Sequence, residues 1–135
     1  MKIFVCASKH AYHRLNEIIE TLKKQGHEIT FPNSFNEPFK EEDMKKLGEE
    51  AHIKWKSEQL KLQGDKIKEN DAILVANFMK NGIENYIGGA TFLEIFKAWE
   101  LGKKIFLLNP IPDNILKDEL VGMNPIILKG NLDLI

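Results

Sequence analysis

Short apolar runs, each too brief for a helix of ordinary length, alternate along this chain with segments of helical period. Met1 to Ser8 (MKIFVCAS) is nearly continuous in apolar residues, as expected of a strand covered on both faces. From Tyr12 to Gln25 the period changes: Leu15, Ile18, Ile19 and Leu22 sit at helical spacing, and Gly26 supplies a stop. His27 to Phe31 (HEITF) resumes as a strand and ends at Pro32. Strand, crossover helix and strand make a right-handed βαβ unit, hence a parallel sheet.

The alternation continues to the end of the chain. Pro32 to Phe39 (PNSFNEPF) has loop composition. Glu41 to Glu69 is mostly charged, with Met44, Leu47, Ala51, Trp55 and Leu62 forming one apolar stripe. It reads as one long or two consecutive amphipathic helices, with breaks expected near Gly48 or Gly64 and the charges on a solvated face. Asp71 to Asn77 is the third strand and Lys103 to Asn109 the fourth, separated by a helix over Thr91 to Leu101. A short helix over Asp113 to Leu120, a fifth strand over Pro125 to Leu128 and apolar Leu132, Leu134 and Ile135 complete the pattern. It predicts a single α/β domain over residues 1–135: a three-layer α/β/α sandwich with about five parallel strands, Rossmann-like or flavodoxin-like.

Composition narrows the partners. The 19 basic and 20 acidic residues nearly cancel, so no global field selects a nucleic acid polymer or an anionic membrane. No apolar run approaches the ~18 residues of a membrane span. The start does not read as a signal peptide, because Lys9, His10, His13 and Arg14 follow too closely on the apolar opening. The single cysteine, Cys6, excludes an intrachain disulfide, suits a cytoplasmic location and reads as a small buried hydrophobe. Arg14 is the only arginine, and arginine is the bidentate binder of anions.

In an open α/β sheet, ligands bind outside the carboxyl ends of the strands. Three segments are expected there. The first, Ala7 to Arg14, leads into a helix N-terminus whose free N–H groups and dipole favour an anion. It has neither the glycine fingerprint of dinucleotide folds nor a P-loop, so Ser8, Lys9, His13 and Arg14 are candidates for one phosphate or a sugar hydroxyl. A polar helix cap with exposed side chains explains the same residues. His10 and His13 lack a third metal ligand. The second segment, Asn77 to Ile87, offers amides and aromatics, Asn77 and Phe78 among them, to bind and stack on a planar base. The third is Gly88-Gly89-Ala90-Thr91-Phe92-Leu93-Glu94, where small residues admit a ligand close to the backbone. Its helix dipole favours an ionised Glu94, available as nucleophile or base. Thr91-x-x-Glu94 also matches a capping box, which would turn the carboxylate back onto Thr91. Asp71 opens the third strand and so falls, by strand direction, at the opposite edge.

These residues together resemble the nucleoside 2-deoxyribosyltransferase family and the related deoxynucleoside 5′-monophosphate N-glycosidases. MKIFVCAS, GHEITFP and NDAILVAN through GKKIFLLNP carry the likeness, with a loop–Gly–x₄–Glu–helix segment at its centre. The resemblance implies that Glu94 attacks the anomeric carbon of a deoxyribosyl group, and that Asp71 serves the base or its protonation. It implies a small-molecule nucleoside or nucleotide substrate, a 5′-phosphate near Ser8, Lys9 and Arg14, no metal or organic cofactor, and a homo-oligomer whose neighbouring subunits complete the site. The family often carries an aspartate six residues before the nucleophile, where this chain has Gly88. Ile87 to Glu94 also resembles the PGGxGTxxE segment of the lysine-decarboxylase-like phosphoribohydrolases, with Ile87 in place of the proline and one glycine fewer. Both families cleave N-glycosidic bonds. The rival readings are a non-catalytic nucleotide-binding or sensing domain, which Gly88 favours, and a scaffold with no small ligand.

Overall fold

The computed structural model describes residues 1–135. Five strands form one all-parallel sheet: β1 (Lys2–Cys6), β2 (Glu28–Thr30), β3 (Ala72–Val75), β4 (Lys104–Leu107) and β5 (Ile126–Ile127). Their spatial order is β2-β1-β3-β4-β5. From β1 the chain moves outward to β2, then crosses back to β3 on the other side. The switch point therefore lies between β1 and β3, where Ile3 pairs with Ala72 and Cys6 with Val75.

Both faces of the sheet are covered, because successive residues of each strand point to opposite sides. Ile3, Val5, Ala72 and Leu74 meet Leu15, Ile18, Ile19 and Leu22 of α1 (Leu15–Lys24). Phe4, Cys6, Ile73 and Val75 meet Ile67 of α3 (Glu49–Glu69), Ile95 and Ala98 of α4 (Gly89–Glu100), and Leu120 and Met123 of α5 (Lys117–Met123). The result is the three-layer α/β/α sandwich of the sequence reading.

The individual elements follow the expectation in part. The segment Lys9–Arg14 is a 3-10 turn and α1 begins only at Leu15, three residues later than the apolar period implied. The charged region folds as α2 (Lys40–Leu47) and α3, broken at Gly48, whose φ of +125° favours glycine. Gly64 is inside α3 and breaks nothing. The apolar stripe is turned inward only in part: Leu47 and Leu62 are exposed, Met44, Ala51 and Trp55 are half-buried, and the buried residues of α3 are Gln63 and Ile67. No helix is long and apolar enough to cross a membrane.

Candidate active site

A cleft of roughly 270 Å³ opens at the carboxyl edge of the sheet, close to the ~300 Å³ at which small-ligand clefts begin. Its floor is the end of β1 and the start of α4. Ala7, Ser8, Lys9 and Tyr12 come from the first, and Gly88, Gly89, Ala90, Thr91 and Glu94 from the second. Pro32, Asn33, Ser34 and Pro38 of the loop after β2, with Glu41 of α2, close one side. One face of α3, carrying Trp55, Lys56, Gln59 and Gln63, forms the wall, and Tyr86 completes the rim.

Glu94 is the chemically distinctive group. Only 8% of its surface is exposed, and burial raises its pKa to about 8. The Cys6 thiol and the charges of Lys66 and Lys56 oppose that shift without cancelling it. The dipole-stabilised ionised carboxylate expected from sequence is therefore corrected. α4 begins at Gly89 with Gly88 as its N-cap, so Glu94 lies beyond the first turn, where the dipole acts most strongly. The same boundary dissolves the capping box. Thr91 is the third residue of the helix, and no side chain caps its start.

Cys6 lies beneath this carboxyl because strand alternation turns it to the α3–α4 face. Burial pushes its thiol well up, and the neighbouring Glu94 adds to the shift. Tyr12 is likewise raised by burial, and its hydroxyl donates to the Asn33 carbonyl at 2.9 Å, tying the β1 and β2 loops together. Asn33 Nδ2 donates to the Gln59 carbonyl at 3.1 Å, joining the β2 loop to α3. Half-buried Lys66 has its pKa lowered by burial, and its Nζ donates to the Phe31 carbonyl at 3.0 Å.

Both lysines lining the cleft are paired with carboxylates from the first turn of α2. Lys9 is bound to Glu42. Lys56 Nζ lies 3.3 Å from Glu41 Oε2, which also lies 2.8 Å from His52 Nε2. Burial pushes the Glu41 carboxyl up, but hydrogen bonds from His52 and Lys56 outweigh it and leave it below its ordinary value.

Ser8, Lys9, Gly88, Gly89, Thr91 and Glu94 of the sequence candidates thus share one cleft. The others do not. Asp71 is exposed at the amino edge, where its carboxylate accepts the Lys2 N–H at 2.8 Å. β3 separates it from the cleft, so a catalytic part for Asp71 within this chain's own cleft is corrected. Asn77 is spent on structure: its amide donates to the carbonyls of Asn109 and Pro110 and accepts the Asn109 N–H, clasping the ends of β3 and β4. Arg14 lies over the Phe78 ring, its guanidinium carbon 3.8 Å from the ring centroid. With His13, both residues line a neighbouring hollow of roughly 200 Å³ that shares Ser8 and Tyr86 with the cleft.

Sequence reasoning placed Tyr12 and Tyr86 in segments expected at this edge without singling them out, and missed Asn33, Glu41, Trp55, Lys56, Gln59 and Gln63. A signal existed for the α3 group: His52, Lys56, Gln59 and Gln63 recur at helical spacing as a polar stripe.

No protein-family model matches the chain, and no curated protein matches it. A solved structure does: the Clostridium botulinum CMP N-glycosidase BcmB superposes with a TM-score of 0.57 at 21% identity, covering 94% of this chain and 88% of that one. At that identity the likeness is one of fold, and the fold of this chain is the one that the N-glycosidase adopts.

Proposed function

We propose that the cleft cleaves the N-glycosidic bond of a nucleoside or its 5′-monophosphate, with Glu94 as the nucleophile. The observation that carries this reading is a single buried carboxyl at the floor of a ligand-sized cleft, at the switch point of a fold shared with an enzyme titled CMP N-glycosidase. Ionised Glu94 attacks C1′. The C1′–N bond breaks, its electron pair leaves with the base, and the base takes a proton from water. The glycosyl ester then passes to water in hydrolysis or to a second base in transfer, following the logic of retaining glycosidases. Trp55, Tyr86 and Tyr12 offer faces for the base, while Gln59 and Gln63 offer amides for its edge. This chemistry needs no metal or organic cofactor.

The test is base release from a panel of nucleosides and monophosphates, with and without an acceptor base. Glu94→Gln is expected to lose release entirely, and release at the parental rate would overturn the mechanism. A second reading is a nucleotide-binding domain without chemistry, favoured by Gly88 where related enzymes often carry an aspartate. Thermal stabilisation by a nucleotide with no base release over hours would select it.

A homo-oligomer belongs to the same proposal. Leu93, Phe96 and Trp99 leave an exposed apolar strip along α4, the helix that bears Glu94. A second copy covering that strip would lie next to the cleft.

A further inference from the structure

The cleft that holds Glu94 contains no unpaired cation. Of the charged side chains that line it, Lys9 is bound to Glu42 and Lys56 to Glu41, while Glu94 is the buried carboxyl itself. Arg14 lies outside it, stacked on Phe78. Resting on the glycosidic reading above, we propose that Glu41 and Glu42 are specificity-determining residues that make this cleft select an uncharged nucleoside over its 5′-monophosphate.

The physical argument is one of charge balance. A phosphate monoester carries roughly −1.5 to −2 charge at neutral pH and binds where cations are free to meet it. Here each lysine already has its counter-ion. A phosphate that captured Lys9 would leave the Glu42 carboxylate beside its own oxygens. One that approached Lys56 would meet Glu41, which His52 holds from a second side. Like charges brought together in this way repel, and the repulsion acts as a filter against the wrong ligand. A neutral nucleoside displaces neither pair. The source of both carboxylates supports the assignment: they are consecutive residues in the first turn of α2, and they hold Lys9 on the floor and Lys56 on the wall of the same cleft.

The experiment compares cytidine, deoxycytidine and their 5′-monophosphates in wild type, Glu42→Gln, Glu41→Gln and the double variant. The readouts are thermal-shift binding and kcat/KM for base release. Glu42 is half-exposed, so its substitution leaves the fold intact if Glu41→Gln does not. Wild type is expected to prefer the nucleosides by about tenfold or more, and each substitution to move the ratio about tenfold toward the monophosphate. A ratio unchanged in both single variants would overturn the inference. So would a wild-type preference for monophosphate, and its loss in Arg14→Gln would place the anion in the neighbouring hollow instead. Selective nucleoside binding without base release would sink the catalytic reading and leave this inference standing. No shift with any of the four compounds would overturn both.

Discussion

Glu94 can act as a nucleophile only when it is ionised, and its burial sets the pH at which that happens. With a pKa raised to about 8, the carboxyl is mostly protonated at neutral pH. Base release is therefore expected to rise with pH through about 8, and a flat profile between pH 6 and 9 would contradict the assignment. The same shift bears on stability. The unfolded chain ionises Glu94 near 4.5 while the folded chain holds the proton until about 8. Stability contributed by this group therefore falls as pH rises from 4.5 to 8 and is level outside that window. At pH 8 the cost is on the order of 4 kcal/mol. Glu94→Gln should thus be inactive yet melt higher than the parent at pH 8, with the gap closing toward pH 4.5. Equal melting temperatures across that range would show that the carboxyl is solvated. Cys6 offers an independent check. Its thiol favours the ionised carboxylate, so Cys6→Ala should move the activity midpoint upward in pH. The candidate carboxylate itself was legible from its place after the glycine pair. Its protonation state was not, because desolvation depends on α3 packing over it, and no local spacing records that.

At the scale of elements, α3 shows where pattern reading succeeds and where it stops. Both glycines of the charged region were visible as candidate breaks, but only backbone geometry separates them. Gly48 adopts a φ of +125°, where any other residue is strained, whereas Gly64 is an ordinary helical residue. A Cβ added at Gly64 would find only the Lys97 Cε, at 4.0 Å. Gly64→Ala should therefore stabilise the protein by about 0.5–1 kcal/mol, a rise of a few degrees in Tm by calorimetry. Gly48→Ala should lower Tm instead. Reversal of the two signs would mean that the helices break at Gly64. The stripe Met44, Leu47, Ala51, Trp55 and Leu62 suggested an apolar buried face. What α3 turns inward in its first half is Trp55 together with polar Lys56 and Gln59, the face that walls the cleft, because an open cleft and not a core lies beneath it. Helical spacing identifies faces, but an apolar rule for choosing the inner one fails wherever the inside is a site.

At the scale of the whole molecule, the alternation of apolar runs and helical segments fixed the class of fold, while the order of the strands came only from the structure. Right-handed crossovers allow β3 to join either side of β1, and the side taken decides which loops meet. Here the order brings the β1 and β2 loops together with the start of α4, so the β2 loop joins the site and the loop carrying Phe78 turns toward the α1 side. The same arrangement leaves the outer side of α4 with no layer over it. Phe96 and Trp99 are 44% and 50% exposed, and their ring centroids lie 5.8 Å apart. Single exposed apolar residues are ordinary, but two aromatic rings in contact, one turn from Leu93 on the same helix, form a continuous strip. If a second copy covers it, light scattering should give at least twice the 15.5 kDa of one chain, and Trp99→Glu should return the mass toward the monomer. Base release should fall with that dissociation, because α4 also carries Glu94 and the cleft margin. A parent that stays monomeric at high micromolar concentration, with full activity, would remove the interface and leave the strip as exposed surface.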